Sequence, residues 1–372
     1  MNLTVLHGAR QLVERADKGG ALWAPVRAFL LICSWKYGAL VYVRNFLYAH
    51  LPGMRKRVAA HVVSVGNITV GGSGKTPAVE MCAKTWLRKG KKVAIVSRGY
   101  GKSSESIKES ALPQTLRPPE GVRVVSDGSG AVALSAEGAG DEPHLLARRV
   151  SEAIVLVSRN RFVACRFAVE ELGVEVIVLD DAFQHLRLHR DEDIVAVDAT
   201  NPFGNGYVVP RGMLREPPAS LARATLILLT KILPESDIDG AREARAKVQL
   251  VAPGVPVLET RYGPTHLSVR LDEETTPLDY LNGKSVVAFC GIADPAFFEQ
   301  TLRYLGARTV RMRPFPDHYQ YGPADLASIE KDAVELKADA IVTTEKDMVR
   351  LPADVATSRP LYAVAVEIRI DD

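Results

Sequence analysis

The sequence predicts an α/β protein: a parallel-sheet domain with a phosphate-binding loop, a second, smaller α/β unit, and an apolar helical segment ahead of both. Three observations predict it. Short apolar runs alternate with helix-compatible stretches from His61 onward, a Gly-rich turn ending in Lys75-Thr76 sits at the first strand-to-helix junction, and a basic apolar segment precedes them. Fully buried parallel strands read as continuous apolar runs, and strands separated by helices imply a crossover-connected sheet.

Composition narrows the classes. A chain of 372 residues holds one large or two medium domains. At 47% hydrophobic and 24% charged, it can bury a core, and disordered, collagen-like and coiled-coil classes are excluded. A net charge of +3 does not point to a nucleic-acid surface. Its distribution is more informative: residues 1–60 hold nine Lys/Arg against Glu14 and Asp17, while the rest is slightly acidic. A basic arm of this kind suits an anionic partner. Cys33, Cys82, Cys165 and Cys290 are scattered, with no CxxC pair, so neither a disulfide framework nor structural zinc is expected.

In chain order, Ala21–Leu51 comes first. Arg27, Lys36 and Arg44 interrupt it, so a spanning helix of ~20 apolar residues is not expected, and Glu14 and Asp17 argue against a signal peptide. Two readings remain open: a helix in a membrane interface, suited by Trp23, Trp35, Tyr37, Tyr42, Tyr48 and the Arg55-Lys56-Arg57 triplet, or a helix packed on the protein's own core. Strands are expected at His61–Val65, Val93–Ser97, Val122–Ser126, Ala153–Val157, Val176–Leu179, Ile194–Val197 and Leu226–Leu229, with a helix over Pro77–Lys89 and a long loop across 101–140. Beyond a connector at Pro234–Asp237, strands are expected at Val257–Thr260, Leu267–Val269, Ser285–Phe289, Thr309–Met312, Ala340–Thr343 and Leu361–Val366. Helices are expected at Phe297–Leu305 and Ala324–Lys337. The resulting units are 1–57, 58–232 and 233–372.

The strongest chemical signal is Thr69-Val70-Gly71-Gly72-Ser73-Gly74-Lys75-Thr76. Glycines let successive backbone N–H groups face a triphosphate, and the helix N-terminus adds its positive end. Lys75 would reach the β- and γ-phosphates of ATP, and the Thr76 hydroxyl would ligate Mg²⁺. The first position of the usual loop is Gly, whereas this chain has Thr69. The xGGxGKT form also resembles the loop of dimerising ATPases, with Val70 in place of their Lys. The strand Val176–Leu179 then delivers Asp180-Asp181, the acidic half of a magnesium–nucleotide site, with Gln184 and His185 just beyond. Arg98 and Tyr100 follow another strand, and Asp141-Glu142 precede a helical stretch where N-capping is the plain alternative. The loop Asn205–Pro217 holds Arg211, Arg215 and Glu216. Pro316–Tyr319 and Thr343–Asp347 are two further polar clusters, and a lone His318 is more often structural than catalytic.

Taken together, VGNITVGGSGKTP, SRGYG, GDEP, LDDAFQH, FGNGYVVPRGMLREP, PDHY and TTEKD resemble, in order, the tetraacyldisaccharide 4'-kinases, the lipid A 4'-kinases of Gram-negative bacteria. Ala182 stands where that family commonly has Gly, and Thr69 is similar to its own version of the loop. The resemblance implies ATP- and Mg²⁺-dependent phosphorylation of the 4'-hydroxyl of a tetraacylated glucosamine disaccharide 1-phosphate. It implies work at the cytoplasmic face of the inner membrane; no nucleic acid is expected from the charge, and no obligate protein partner is evident in the sequence. It further implies Asp141 as the base, with His318 supporting it, and Lys75 and Arg98 stabilising transferring charge. Thr76, Glu142, Asp180, Asp181, Gln184 and His185 would surround magnesium and phosphate, while Asn67, Tyr100, Arg211, Arg215 and Glu216 would hold the substrate. Rival expectations are a P-loop kinase for a soluble small molecule and a nucleotide-switched ATPase.

Overall fold

A computed structural model describes residues 13, 19–51, 53–99, 117–233, 238–269, 275–352 and 355–370. Tyr100, much of the loop expected at 101–140 and the Pro234–Asp237 connector lie outside the described residues. The helices, numbered in chain order, are α1 (Ala24–His50), α2 (Lys75–Arg88), α3 (Ala136–Ala139), α4 (Asp141–Arg149), α5 (Arg161–Glu170), α6 (Ile238–Val251), α7 (Pro295–Tyr304), α8 (Pro323–Glu335) and α9 (Glu345–Met348).

The strands are β1 (His61–Gly66), β2 (Val93–Ser97), β3 (Val122–Asp127), β4 (Ile154–Ser158), β5 (Val176–Asp180), β6 (Glu192–Asp198), β7 (Leu226–Ile232), β8 (Val257–Ser268), β9 (Thr275–Thr276), β10 (Ser285–Cys290), β11 (Arg308–Pro314), β12 (Ala340–Thr344) and β13 (Leu361–Ile370). They form one sheet in the order β11-β10-β12-β13-β8-β7-β6-β1-β5-β2-β4-β3, with β9 added to β8. Strands β4, β2, β5, β1, β6, β7 and the start of β8 run parallel, with β3 antiparallel at the edge. Both faces of this block are covered. Val63, Val65 and Ile95 pack with α2 and α4, while Val62, Ala94 and Val96 pack with α5.

Strand β8 decides how the second half sits. Where the sequence suggests two short strands, Val257–Thr260 and Leu267–Val269, the structure has one strand of 12 residues. Its beginning pairs in parallel with β7 from Val257, and its stretch Thr260–Ser268 pairs antiparallel with β13. The block β13-β12-β10-β11 is therefore shifted along β8, past the carboxyl edge of the first block, and its strands run back toward that edge. Two carboxyl edges face each other, and ligand crevices of parallel sheets lie outside such edges.

Helix α1 follows a two-faced pattern. Leu30, Ser34 and Val41 are buried on one side, whereas Phe29, Ile32, Trp35, Leu40, Tyr42 and Phe46 are at least half exposed on the other. By length and composition it is apolar enough to cross a membrane, which the sequence argued against. Polar contacts join it to the protein body. Ser34 donates to the Val208 carbonyl at 2.7 Å, Tyr37 to the Arg215 carbonyl at 3.0 Å, and Arg44 and Asn45 both reach Glu216.

Candidate active site

The phosphate loop is shaped from behind by its neighbours. Strand β1 ends at Gly66, where a Cβ would fall 2.6 Å from Phe183. Asn67 is fully buried; its amide donates to Ser73 Oγ at 2.8 Å, and its carbonyl accepts from Gln184 Nε2 at 2.8 Å. The backbone takes positive φ at Gly71 (123°) and at Gly74 (73°), conformations that glycine adopts at little cost. A Cβ on Gly74 would also crowd Thr230, whose hydroxyl donates to the Ser73 carbonyl at 2.9 Å. The other flank is a short two-chain ladder: Val70 N–H donates to the Met213 carbonyl, and Arg215 N–H to the Ile68 carbonyl, each at 2.7 Å. Helix α2 then opens with Lys75.

Lys75 lies inside a cavity of about 660 Å³ between the two carboxyl edges. From the first block come the loop Val70–Thr76, Arg98, Asp180, Asp181, Gln184 and His185; from the second come Asp294, His318 and Thr344–Lys346. At the end of β5, Asp181 adopts φ 48° and meets Lys75 Nζ at 3.7 Å and Arg215 Nη1 at 2.8 Å. Burial alone would raise the Asp181 carboxyl, yet these two cations hold it well below the usual range. Asp180 is raised instead, by burial and by Asp181 beside it, with Ser97 Oγ donating to it at 3.0 Å. Burial lowers Lys75, an effect that Asp181 partly offsets. His185 is pushed down to about 4 by burial and by Arg161 and Arg190, so its ring is neutral.

Across the cavity, Gly140 (φ 95°) turns the chain between α3 and α4 so that Asp141 and Glu142 occupy the first turn of α4. Asp141 thus starts the helix, and the N-cap position falls to Gly140. Asp141 Oδ2 meets His318 Nδ1 at 2.9 Å and Arg350 Nε at 2.7 Å. Glu142 Oε1 meets Lys346 Nζ at 3.0 Å and His318 Nε2 at 3.6 Å. Burial would raise both carboxyls, but His318 and Arg350 hold Asp141 below its usual value. Lys346 and His318 hold Glu142 at about 2. Burial works against a charged His318, and the Asp141 hydrogen bond with the Glu142 and Asp317 charges outweighs it, leaving the ring raised.

A family model for tetraacyldisaccharide-1-P 4'-kinase matches residues 26–372. The chain belongs to this family. A tetraacyldisaccharide 4'-kinase of Anaeromyxobacter sp. (strain K) is 41% identical over 347 residues, 92% of this chain and 86% of that protein. The corresponding protein of Geobacter sulfurreducens is 37% identical, covering 95% and 92%. A crystal structure of LpxK from Aquifex aeolicus in complex with ATP is 30% identical, with a TM-score of 0.68 over 93% of this chain and 95% of that one.

Within this tetraacyldisaccharide 4'-kinase family member, most expected residues converge on one cavity. Lys75, Thr76, Arg98, Glu142, Asp180, Asp181, Gln184, His185, Arg215 and His318 line it, and Asp141 adjoins it through His318. Three expected substrate residues stand elsewhere. Asn67 lies behind the phosphate loop, and Arg211 stacks on Tyr207 at 5.0 Å. Glu216 has no exposed side-chain surface; it is clamped by Arg44 and by Arg223, whose guanidinium lies 3.6 Å from the Phe183 ring centroid. Thr69 forms an antiparallel bridge with Leu214 and does not line the cavity. The sequence reading missed Lys231 and Arg350, and it singled out the cluster holding Lys346 without assigning that lysine a role. Lys231 sits at the end of a strand, and Arg350 is separated by one helical turn from a motif already singled out.

Proposed function

We propose that this chain transfers the γ-phosphate of ATP to the 4'-hydroxyl of a tetraacylated glucosamine disaccharide 1-phosphate, the lipid lying in the inner membrane's cytoplasmic face. The observation carrying this reading is that His318, paired with Asp141, and the phosphate loop line one cavity from facing sheet edges. Phosphoryl transfer needs positioning and charge neutralisation more than covalent help. Lys75, with the loop N–H groups, neutralises the phosphates; Arg98 and Arg215 add charge at the rim. Asp141 accepts the proton of the sugar hydroxyl, and His318 orients its carboxylate. The units 58–232 and 233–372 act as two jaws, excluding water when both substrates are present.

Magnesium fits this donor set. Thr76 and the acids Asp180 and Glu142 offer hard oxygen ligands, and Asp180 is a buried carboxylate with a second carboxylate beside it, a situation that a cation relieves. Asp181 is engaged by Lys75 and Arg215, and Gln184 by Asn67, so with His185 they form the surrounding shell. When bound, the ion would neutralise charge on the β- and γ-phosphate oxygens. The exposed apolar face of α1 and the Arg55-Lys56-Arg57 cluster rest the protein on an anionic bilayer surface, where an acyl-anchored substrate resides.

Incubation with labelled ATP, magnesium and the disaccharide 1-phosphate is expected to yield a doubly phosphorylated lipid. ATP hydrolysis that proceeds equally without the lipid would instead identify a nucleotide switch. Phosphorylation of a soluble acceptor that survives loss of α1 would identify a soluble-substrate kinase.

A further inference from the structure

Arg350 does not line the cavity, yet among the described residues it is the most enclosed cation of the second block: its side chain is 1% exposed. A buried guanidinium persists only where its donors are matched by acceptors. Here Nε donates to Asp141 Oδ2 at 2.7 Å, and Nη1 donates both to the Gly291 carbonyl at 2.9 Å and to Asp347 Oδ1 at 3.0 Å. Asp347 is itself fixed, accepting from Gly291 N–H and Tyr321 Oη, each at 2.8 Å. Gly291 also holds His318, because its carbonyl accepts the His318 N–H at 3.0 Å. The frame of Asp347, Gly291 and Arg350 thus belongs to β10, α9 and their loops, while the carboxylate it grips belongs to α4 of the first block.

The two donors converge on one oxygen. His318 Nδ1 and Arg350 Nε both take Asp141 Oδ2, and among the described residues no donor reaches Oδ1. A carboxylate pinned in this way has lost its freedom to rotate, and its second oxygen is directed by the first. We propose that Arg350 is a positioning residue for the phosphate transfer: by occupying Oδ2 together with His318, it leaves Oδ1 of Asp141 as the oxygen that receives the acceptor's proton. The inference rests on the reading of Asp141 as the base. Proximity to a cation makes that carboxylate a weak base, which a loose phosphoryl-transfer transition state tolerates because orientation matters more than proton affinity.

The experiment is a double-mutant cycle on the full chain, measuring kcat, the KM for the lipid and the Kd for ATP in Arg350→Ala, Asp141→Ala and the pair, with Arg350→Lys as the conservative variant. Misplacing a reacting group by about 1 Å costs on the order of 100-fold. Arg350→Ala is therefore expected to lose about 10- to 100-fold in kcat, with KM and ATP affinity within about threefold of the parent. The double variant is expected to be no slower than Asp141→Ala alone, because Arg350 bears on the reaction through that carboxylate and through His318, whose Nδ1 lies 3.4 Å from Arg350 Nη2 and itself serves Asp141. Arg350→Lys keeps the charge but cannot serve Asp141, Gly291 and Asp347 together, and is expected to recover only part of the rate. It also serves as the test if the alanine variant folds poorly. Full kcat in Arg350→Lys, unchanged kcat in Arg350→Ala, or losses that multiply in the double variant would each overturn the proposal. Near-normal turnover in Asp141→Ala alone would instead remove the base reading beneath it, and that result needs no change at Arg350.

Discussion

At the scale of single residues, the two sides of the cavity assign opposite tasks to neighbouring acids. Asp181 is consumed by Lys75 and Arg215, whereas Asp180 keeps a carboxylate that burial makes costly to ionise. On the far side, Asp141 is ionised and held by two cations. Asp141→Ala is expected to cut turnover by roughly 10²- to 10⁴-fold, the usual range for a general base. Its affinity for ATP should stay within a few-fold, as read by calorimetry; near-normal turnover would remove Asp141 from the base role. The His318–Asp141 pair also has a pH signature. His318 is raised, so its contribution to stability is complete below the unfolded value of ~6.5 and fades as pH climbs through the higher folded value. Asp141 is lowered, so its contribution is present above ~3.9 and fades as pH falls below that. His318→Ala is therefore expected to lower the melting temperature more at pH 6 than at pH 9. Equal losses at both would show that the ion pair does not contribute. The polar runs from Asp141 and Pro316 were legible in the sequence as chemistry-bearing. Their meeting was not, since 177 positions separate Asp141 from His318.

At the scale of elements, α1 joins an exposed apolar face to the phosphate loop. Its inner stripe is bonded to Val208, Arg215 and Glu216, and the same loop forms the ladder beside Ile68–Val70. Its outer stripe is left to solvent, with Trp35 66% and Phe46 51% exposed. Burying a large apolar side chain contributes about 1.5–3 kcal/mol. Replacing Trp35 and Phe46 together by Ser is thus expected to reduce partition onto anionic vesicles at least tenfold in a flotation assay, with ATP affinity unchanged. Undiminished flotation would mean that this face is not the one that meets the bilayer. Thr230 acts at the same scale, buttressing the loop through Ser73. Thr230→Val removes that hydrogen bond and is expected to weaken ATP binding several-fold, a loss of about 1 kcal/mol; unchanged affinity would show the loop is rigid without it.

At the scale of the whole molecule, the staggered pairing of β8 creates the site by turning one carboxyl edge toward another. Lys231 fastens that seam. At φ 61°, its Nζ lies 2.6 Å from Asp198 of the first block and 2.6 Å from Asp294 at the start of α7. Lys231→Met leaves two carboxylates without their shared cation, at a cost of about 3 kcal/mol. The melting temperature is then expected to fall by roughly 4 °C; an unchanged value would show that the seam holds without it.

By itself the sequence determined what is local. Apolar runs specified nearly every strand, the spacing Gly-Gly-Ser-Gly-Lys-Thr specified the phosphate loop, and the order of short motifs specified the family, because each depends on neighbours a few positions away. Three matters were decided only by tertiary structure: that β8 is a single strand shared by two blocks, that Glu216 and Asn67 brace the site from inside, and that Arg350 reaches Asp141 across 209 positions. Long-range pairing selects these arrangements. Burial and charge matching between distant segments become favourable only once the sheet has brought both carboxyl edges together.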